Sequence, residues 1–313
     1  MRGLFLFVLI GLFCQQSMGA IYGPDNRKDI SKSQLKWQKA ADSVALVLPL
    51  LFLEELDSEN YFHSEYKNRN YADEVGVCKD EKFANQSSFG HCTSFLVAPN
   101  VMVSAGHCFL PTGTVENQAH SYCENFVFWM GYNDKNYDLP GIGSLIPKKD
   151  VALCKKVIYA SNNEQMDPEN NPIDFAIYEL SEPLLDREPL KIAKRPLKKN
   201  QMIATVGHPH GLPAKFSGLS RVRDVFDTTY SSNMDSLGGN SGGPAFNNQA
   251  EVVGILIAGH QFDTYEDKAK RCDRINVCNA SGTKCKMDSG LEESNLLLRN
   301  KVWMPYVENF LNK

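Results

Sequence analysis

Three separated stretches of the chain carry residue types that acyl-transfer chemistry requires. The most telling is Gly238-Gly239-Asn240-Ser241-Gly242-Gly243-Pro244, a serine set among glycines. Glycines on both sides let the backbone take positive φ and bring two N–H groups toward one point, which is how a developing oxyanion is held. A serine hydroxyl alone is a poor nucleophile, so the reading also needs an imidazole base and a carboxylate that orients it. Both are present upstream, in Val103-Ser104-Ala105-Gly106-His107-Cys108 and Asp174-Phe175-Ala176-Ile177-Tyr178-Glu179-Leu180. A Gly-rich serine loop by itself is often only a turn; the three motifs together, in the order His107, Asp174, Ser241, read as a triad.

These segments resemble the motifs of the trypsin-like serine peptidases. The stretch from Ile21 through the Asn26-Arg27 pair, together with Asn240, draws the likeness toward the bacterial glutamyl-endopeptidase branch. The resemblance runs from about Ile21 to the last residue. It implies an all-β fold of two packed six-stranded antiparallel β-barrels with a C-terminal helix. The first barrel, with an N-terminal extension, would occupy about 21–190 and the second about 191–313. It further implies oxyanion donors at the Gly239 and Ser241 N–H groups, a disulfide between Cys92 and Cys108 beside the base, protein or peptide substrates, and no metal or organic cofactor. Many animal members carry Asp at the Asn240 position to bind a freed amino terminus; Asn forms no such ion pair, so activation by that bridge is not expected.

The elements that must position these residues are partly legible. Cys92–Ala98 and Val101–Ala105 read as two strands joined by a Pro99-Asn100 turn, with His107 where the second ends. Val44–Leu48 reads as a buried strand that Pro49 breaks, Ser31–Asp42 as helical, Met202–Gly207 and Glu251–Gly259 as strands of the second barrel. Val302, Tyr306 and Phe310, beside Trp303, Val307 and Leu311, predict an amphipathic C-terminal helix packed on that barrel. The orienting acid has two candidates, because Asp150-Val151-Ala152-Leu153 shares the pattern of Asp174. Lys155 and Lys156 put charge where a strand after Asp150 should stay apolar, which favours Asp174. Arg187 and Lys191–Lys199 read as a solvated crossover.

Specificity turns on Asp235, six residues before the serine. If its carboxylate faces inward without a partner, it favours Lys or Arg at P1, the substrate residue before the cut bond. The alternative is that it pairs internally, which leaves a hydrophobic or Glu preference. Enzymes of this kind that cut after Glu carry a histidine near the position of Leu256, so Glu is disfavoured. His208 and His210 sit in a turn and receive no catalytic role. The Cys-bearing stretch 260–295 either covers the P1 pocket or decorates it.

The 313 residues are 42% hydrophobic and 22% charged, ordinary for a packed globular chain, and the net charge of −4 offers no footprint for nucleic acid. Residues 1–20, a short basic start and an apolar run from Leu4 to Phe13 followed by small residues, read as a signal peptide. The expected product is secreted or periplasmic, monomeric and not held in a membrane. Beyond Cys14 eight cysteines remain, an even number that reads as disulfides, with Cys123 paired to Cys154 and partners left open for Cys78, Cys272, Cys278 and Cys285. Zinc at the last three is disfavoured for want of a CxxC pair or a nearby histidine. The rival to an enzyme is a binding module that kept the fold, against which the intact His, Asp and Ser motifs weigh.

Overall fold

The computed structural model describes residues 19–55, 60–64, 70–110, 123–135, 145–163, 173–288 and 294–313. The expected signal segment, apart from residues 19 and 20, lies outside the described residues. Six strands close a first barrel in the spatial order Val151–Asn163, Ile173–Leu180, Val101–Ser104, Cys92–Ala98, Val44–Pro49 and Phe126–Met130. All neighbouring pairs are antiparallel. The Cys92–Ala98 and Val101–Ser104 hairpin forms at the expected turn, with Phe95 opposite Val103 and Leu96 opposite Met102. Its aliphatic and aromatic side chains fill the barrel with Phe128, Phe175 and Ile177, all fully buried, and this burial drives closure.

The second barrel runs Ser220–Val225, Thr229–Ser232, Asn295–Arg299, Val252–Ala258, Pro244–Phe246 and Met202–Gly207, and closes where Met202 pairs with Arg221. Lys215–Phe216 and Lys28–Asp29 extend its sheet. The fold is therefore two closed six-stranded antiparallel β-barrels with a C-terminal helix. The N-terminal segment, read from the sequence as an extension of the first barrel, lies instead along the second. Besides the Lys28–Asp29 pairing, Ile21–Tyr22 runs parallel to Val277–Cys278.

Two further differences from the sequence reading have physical causes. The helix Asn300–Leu311 does not pack on the second barrel alone: Trp303 meets Phe95 edge-on at 5.9 Å, and Tyr306 lies 4.1 Å from Tyr159 and 5.4 Å from Phe175, all three on the first barrel. Members of both apolar rows, Trp303 from one and Tyr306 from the other, meet the first barrel, so the helix is packed on both barrels rather than on one. Lys155 and Lys156 do not end the strand after Asp150, because both ammonium groups reach Glu179 on the neighbouring strand, at 2.7 and 3.0 Å. Arg187 is not solvated either; its guanidinium is held by Asp150 at 2.6 Å.

All eight cysteines of the described residues are in disulfides: Cys92–Cys108, Cys123–Cys154, Cys78–Cys272 and Cys278–Cys285. The first two pairs are those expected. Cys78–Cys272 ties the segment before the first hairpin to the stretch that follows the second-barrel wall, and Cys278–Cys285 closes a short loop within that stretch. With Cys272 bonded to Cys78 and Cys278 to Cys285, these three cysteines offer no thiolate to zinc.

Candidate active site

Strand Val101–Ser104 ends in a single 3₁₀ turn, Gly106–Cys108, which carries His107. Asp174, second residue of strand Ile173–Leu180, accepts from the His107 backbone N–H through Oδ1 at 2.8 Å and shares a bond with imidazole Nδ1 through Oδ2 at 2.6 Å. Both carboxylate oxygens therefore act on one residue, fixing its backbone and its ring together. Gly106 makes this approach possible, since a Cβ there would overlap the Ser161 carbonyl and crowd Asp174 Oδ1. Burial, the largest influence on His107, disfavours the imidazolium, but the charge and hydrogen bond of Asp174 outweigh it and raise the pKa above the ordinary histidine value. Asp150, the rival acid, ends a different turn and is committed to Arg187.

The serine loop is seated between the barrels. Thr93 N–H donates to the Ser241 carbonyl at 2.8 Å, and a Cβ on Gly242, whose φ is +80°, would overlap Ser104 Oγ and the Thr93 carbonyl. The glycine after the serine thus lets the loop lie against the strand that leads to His107. Gly239 has φ +88°, and its carbonyl is held by Thr93 Oγ1 at 2.7 Å. Leu256 on the neighbouring strand accepts from Gly242 N–H and donates to Gly243.

Residues 92–255 match the family model described as a trypsin-like peptidase domain. The chain belongs to the trypsin-like peptidase family. As a member it is a serine endopeptidase, a hydrolase of peptide bonds. Among solved structures the peptidase shares its fold with a Glu endopeptidase in complex with MPD, at 12% identity and a TM-score of 0.53 over 94% of this chain and 100% of that one. A protease of Vibrio cholerae, VesB, matches at 11% identity and a TM-score of 0.49 over 92% of this chain and 68% of that one.

One expectation about this peptidase needs correction. Asp235 is buried, but its carboxylate is not without internal partners: Oδ1 accepts from Tyr22 N–H at 2.9 Å and Oδ2 from Asn26 N–H at 2.7 Å. The N-terminal segment, stitched to Val277–Cys278 just before, delivers both donors. Burial pushes the Asp235 pKa up to about 6 even though these two N–H groups pull it down. Asn240, where an ion pair to an amino terminus was not expected, turns its amide to Ser236 Oγ at 3.3 Å.

His208 and His210 also separate, so they form no pair of ligands. His208 is buried against Tyr132 and bonded to the Leu212 carbonyl, and burial drives its pKa down to about 3, so it stays neutral. His210 belongs to the neighbourhood of the serine loop, lining with Asp263, Gly238 and Gly239 a cleft of about 320 Å³. Sequence reasoning missed His210, Asp263 and Thr93. A turn histidine followed by Gly211, the residue type of a close backbone approach, was the only available signal; Thr93 and Asp263 sit in no motif.

Proposed function

We propose that this peptidase is exported and cuts peptide bonds through a triad of Ser241, His107 and Asp174. Ser241 Oγ attacks the scissile carbonyl while His107 takes its proton; the Gly239 and Ser241 N–H groups receive the oxyanion. The imidazolium then gives the proton to the leaving amine, and a water molecule, activated by the same base, frees the acyl-enzyme. The single observation that supports this most is the double engagement of His107 by Asp174. It fixes the Nδ1–H tautomer, leaving Nε2 as the base, and lowers the cost of the charged ring.

For P1, the arrangement favours an uncharged side chain over Lys or Arg. Asp235 is spent on Tyr22 and Asn26 N–H groups, and the wall strand Val252–Ala258 carries no ionisable residue. The four disulfides suit an oxidising compartment, consistent with a cleaved signal at residues 1–20 and a secreted or periplasmic monomer. No helix among the described residues is long and apolar enough to cross a membrane.

The test is cleavage of a peptide library varied at P1 by protein purified from a secreting host, with Ser241→Ala beside it. Serine-dependent cuts after Leu, Phe or Met are expected. Serine-dependent cuts after Lys or Arg would keep the triad and restore the Asp235 reading. Equal activity in wild type and Ser241→Ala, or none in both, would remove the catalytic reading.

A further inference from the structure

The Gly238–Gly239 peptide decides whether the loop offers the oxyanion a donor or an acceptor. In a trans peptide the carbonyl and the following N–H point in opposite directions. If Gly238 C=O is held on one side, Gly239 N–H faces the other; a rotation of this peptide would aim the carbonyl at the oxyanion instead. Glycines at both positions make that rotation sterically easy, so something outside the loop must hold it.

The structure assigns this task to His210 and Asp263, which we propose are positioning residues for the oxyanion donor; the proposal rests on the catalytic reading of Ser241 given above. His210 N–H donates to the Gly238 carbonyl at 2.6 Å. Asp263 meets His210 Nε2 through Oδ2 at 2.5 Å, and the neighbouring Gly238 N–H helps to hold its pKa down. Gly238 is thus gripped by its C=O, through a His210 whose ring Asp263 anchors. On the far side of the ring, His210 Nδ1 is bonded to the hydroxyl of fully buried Tyr71 at 2.6 Å.

The backbone of His210 shows that the grip is built. Its φ of 50° and ψ of 31° lie in the left-handed region, which a residue with a Cβ enters at a cost. The side-chain bonds to Tyr71 and Asp263 hold it there, and that conformation is the one that aims its N–H at Gly238. Ser88 Oγ donates to the His210 carbonyl at 2.5 Å, and Phe89 N–H to the Gly211 carbonyl at 2.9 Å, fixing the next two peptides. Asp263 comes from the Cys-bearing stretch that precedes Cys272. Burial pushes its carboxylate toward neutrality, but His210 charge and hydrogen bond hold its pKa below the usual carboxylate value. The stretch whose role the sequence left open thereby gains one, support of the serine loop from behind.

The test compares His210→Asn, Asp263→Ala and Asp263→Asn in the full chain. Asn tolerates the left-handed region, so His210→Asn removes the ring without forcing the backbone. Four quantities are read: kcat, KM, melting temperature, and inhibition by a peptide aldehyde against the matching peptide alcohol. The aldehyde needs the oxyanion donors once Ser241 adds to it; the alcohol does not. Removing one oxyanion donor costs about 10²–10³ in kcat, so His210→Asn and Asp263→Ala should lose kcat on that scale with KM within about threefold. Aldehyde affinity should fall with kcat while alcohol affinity holds. Asp263→Asn, which keeps a partner for the His210 ring, should retain most of the activity. Wild-type kcat and aldehyde affinity in Asp263→Ala and His210→Asn would overturn the proposal. So would parallel loss of aldehyde and alcohol affinity with a lowered melting temperature, which marks a merely structural role. Absence of Ser241-dependent cleavage in the wild type would instead sink the catalytic reading, and this proposal with it.

Discussion

Asp235→Asn, made in the Ser241→Ala background to prevent self-digestion, tests whether the N-terminal segment is held by a reluctant carboxylate. In the folded chain the Asp235 pKa is raised from 3.8 to about 6. A raised acid binds its proton more tightly folded than unfolded, so its contribution is most favourable below pH 3.8, falls as pH rises, and is fully lost above about 6. A shift of about 2 units corresponds to about 3 kcal/mol, and the group is buried, so solvent does not screen it away. Asn abolishes this titration but introduces a separate, pH-independent cost. Its single oxygen can accept from Tyr22 or Asn26 N–H, not both, and its NH₂ then faces a donor, a clash of about 1–3 kcal/mol. At pH 4 the variant should therefore be less stable than its parent by about that clash. At pH 7 the gap should shrink by about 3 kcal/mol and so close or reverse. Urea unfolding at the two pH values, disulfides intact, measures both numbers. A stability gap that stays constant between pH 4 and pH 7 would refute the reasoning.

Asp174→Asn should lower kcat by about 10⁴. It should also move the acid limb of the kcat/KM profile to lower pH, because burial then acts on His107 without the opposing carboxylate; a pH–rate series checks both. Gly242→Ala must find room for a methyl where Ser104 Oγ and the Thr93 carbonyl stand, at φ +80°. It should abolish turnover and cost more than about 3 kcal/mol in denaturant unfolding. Trp303→Ala, which empties a fully buried site between helix and first barrel, should cost about 3–5 kcal/mol, read by the same unfolding measurement.

What the sequence revealed was whatever is encoded locally. The Cys92–Ala98 strand and its turn could be bounded to the residue, and the Val101–Ala105 strand to within one, because the strand-forming residues and Pro99-Asn100 lie within one window. Asp174 could be preferred to Asp150, although the reason offered was mistaken: Lys155 and Lys156 sit comfortably in a strand, since Glu179 is beside them in space and not in sequence. The internal partners of Asp235 could not be named for the same reason. Its partners are backbone N–H groups of Tyr22 and Asn26, which carry no side-chain signature and lie at the other end of the chain. His210 and Asp263 were invisible because their meaning comes from the orientation of the Gly238–Gly239 peptide, to which His210 donates and which Asp263 supports through the His210 ring, and no spacing rule reports the orientation of a peptide plane.

The pairing of Ile21–Tyr22 with Val277–Cys278 also has a kinetic consequence. Contacts between such distant parts of a chain form late, because closing so long a loop costs entropy before any bond rewards it. During synthesis the first strand must wait, unpaired, until nearly the whole chain has emerged. Asp235 receives its two donors only when that strand docks, so the wall beneath the serine loop is completed in the same step. A chain caught before then has its His107–Asp174 hairpins in place but an unfinished site. The segment around the serine loop is thus among the last parts of the chain to set.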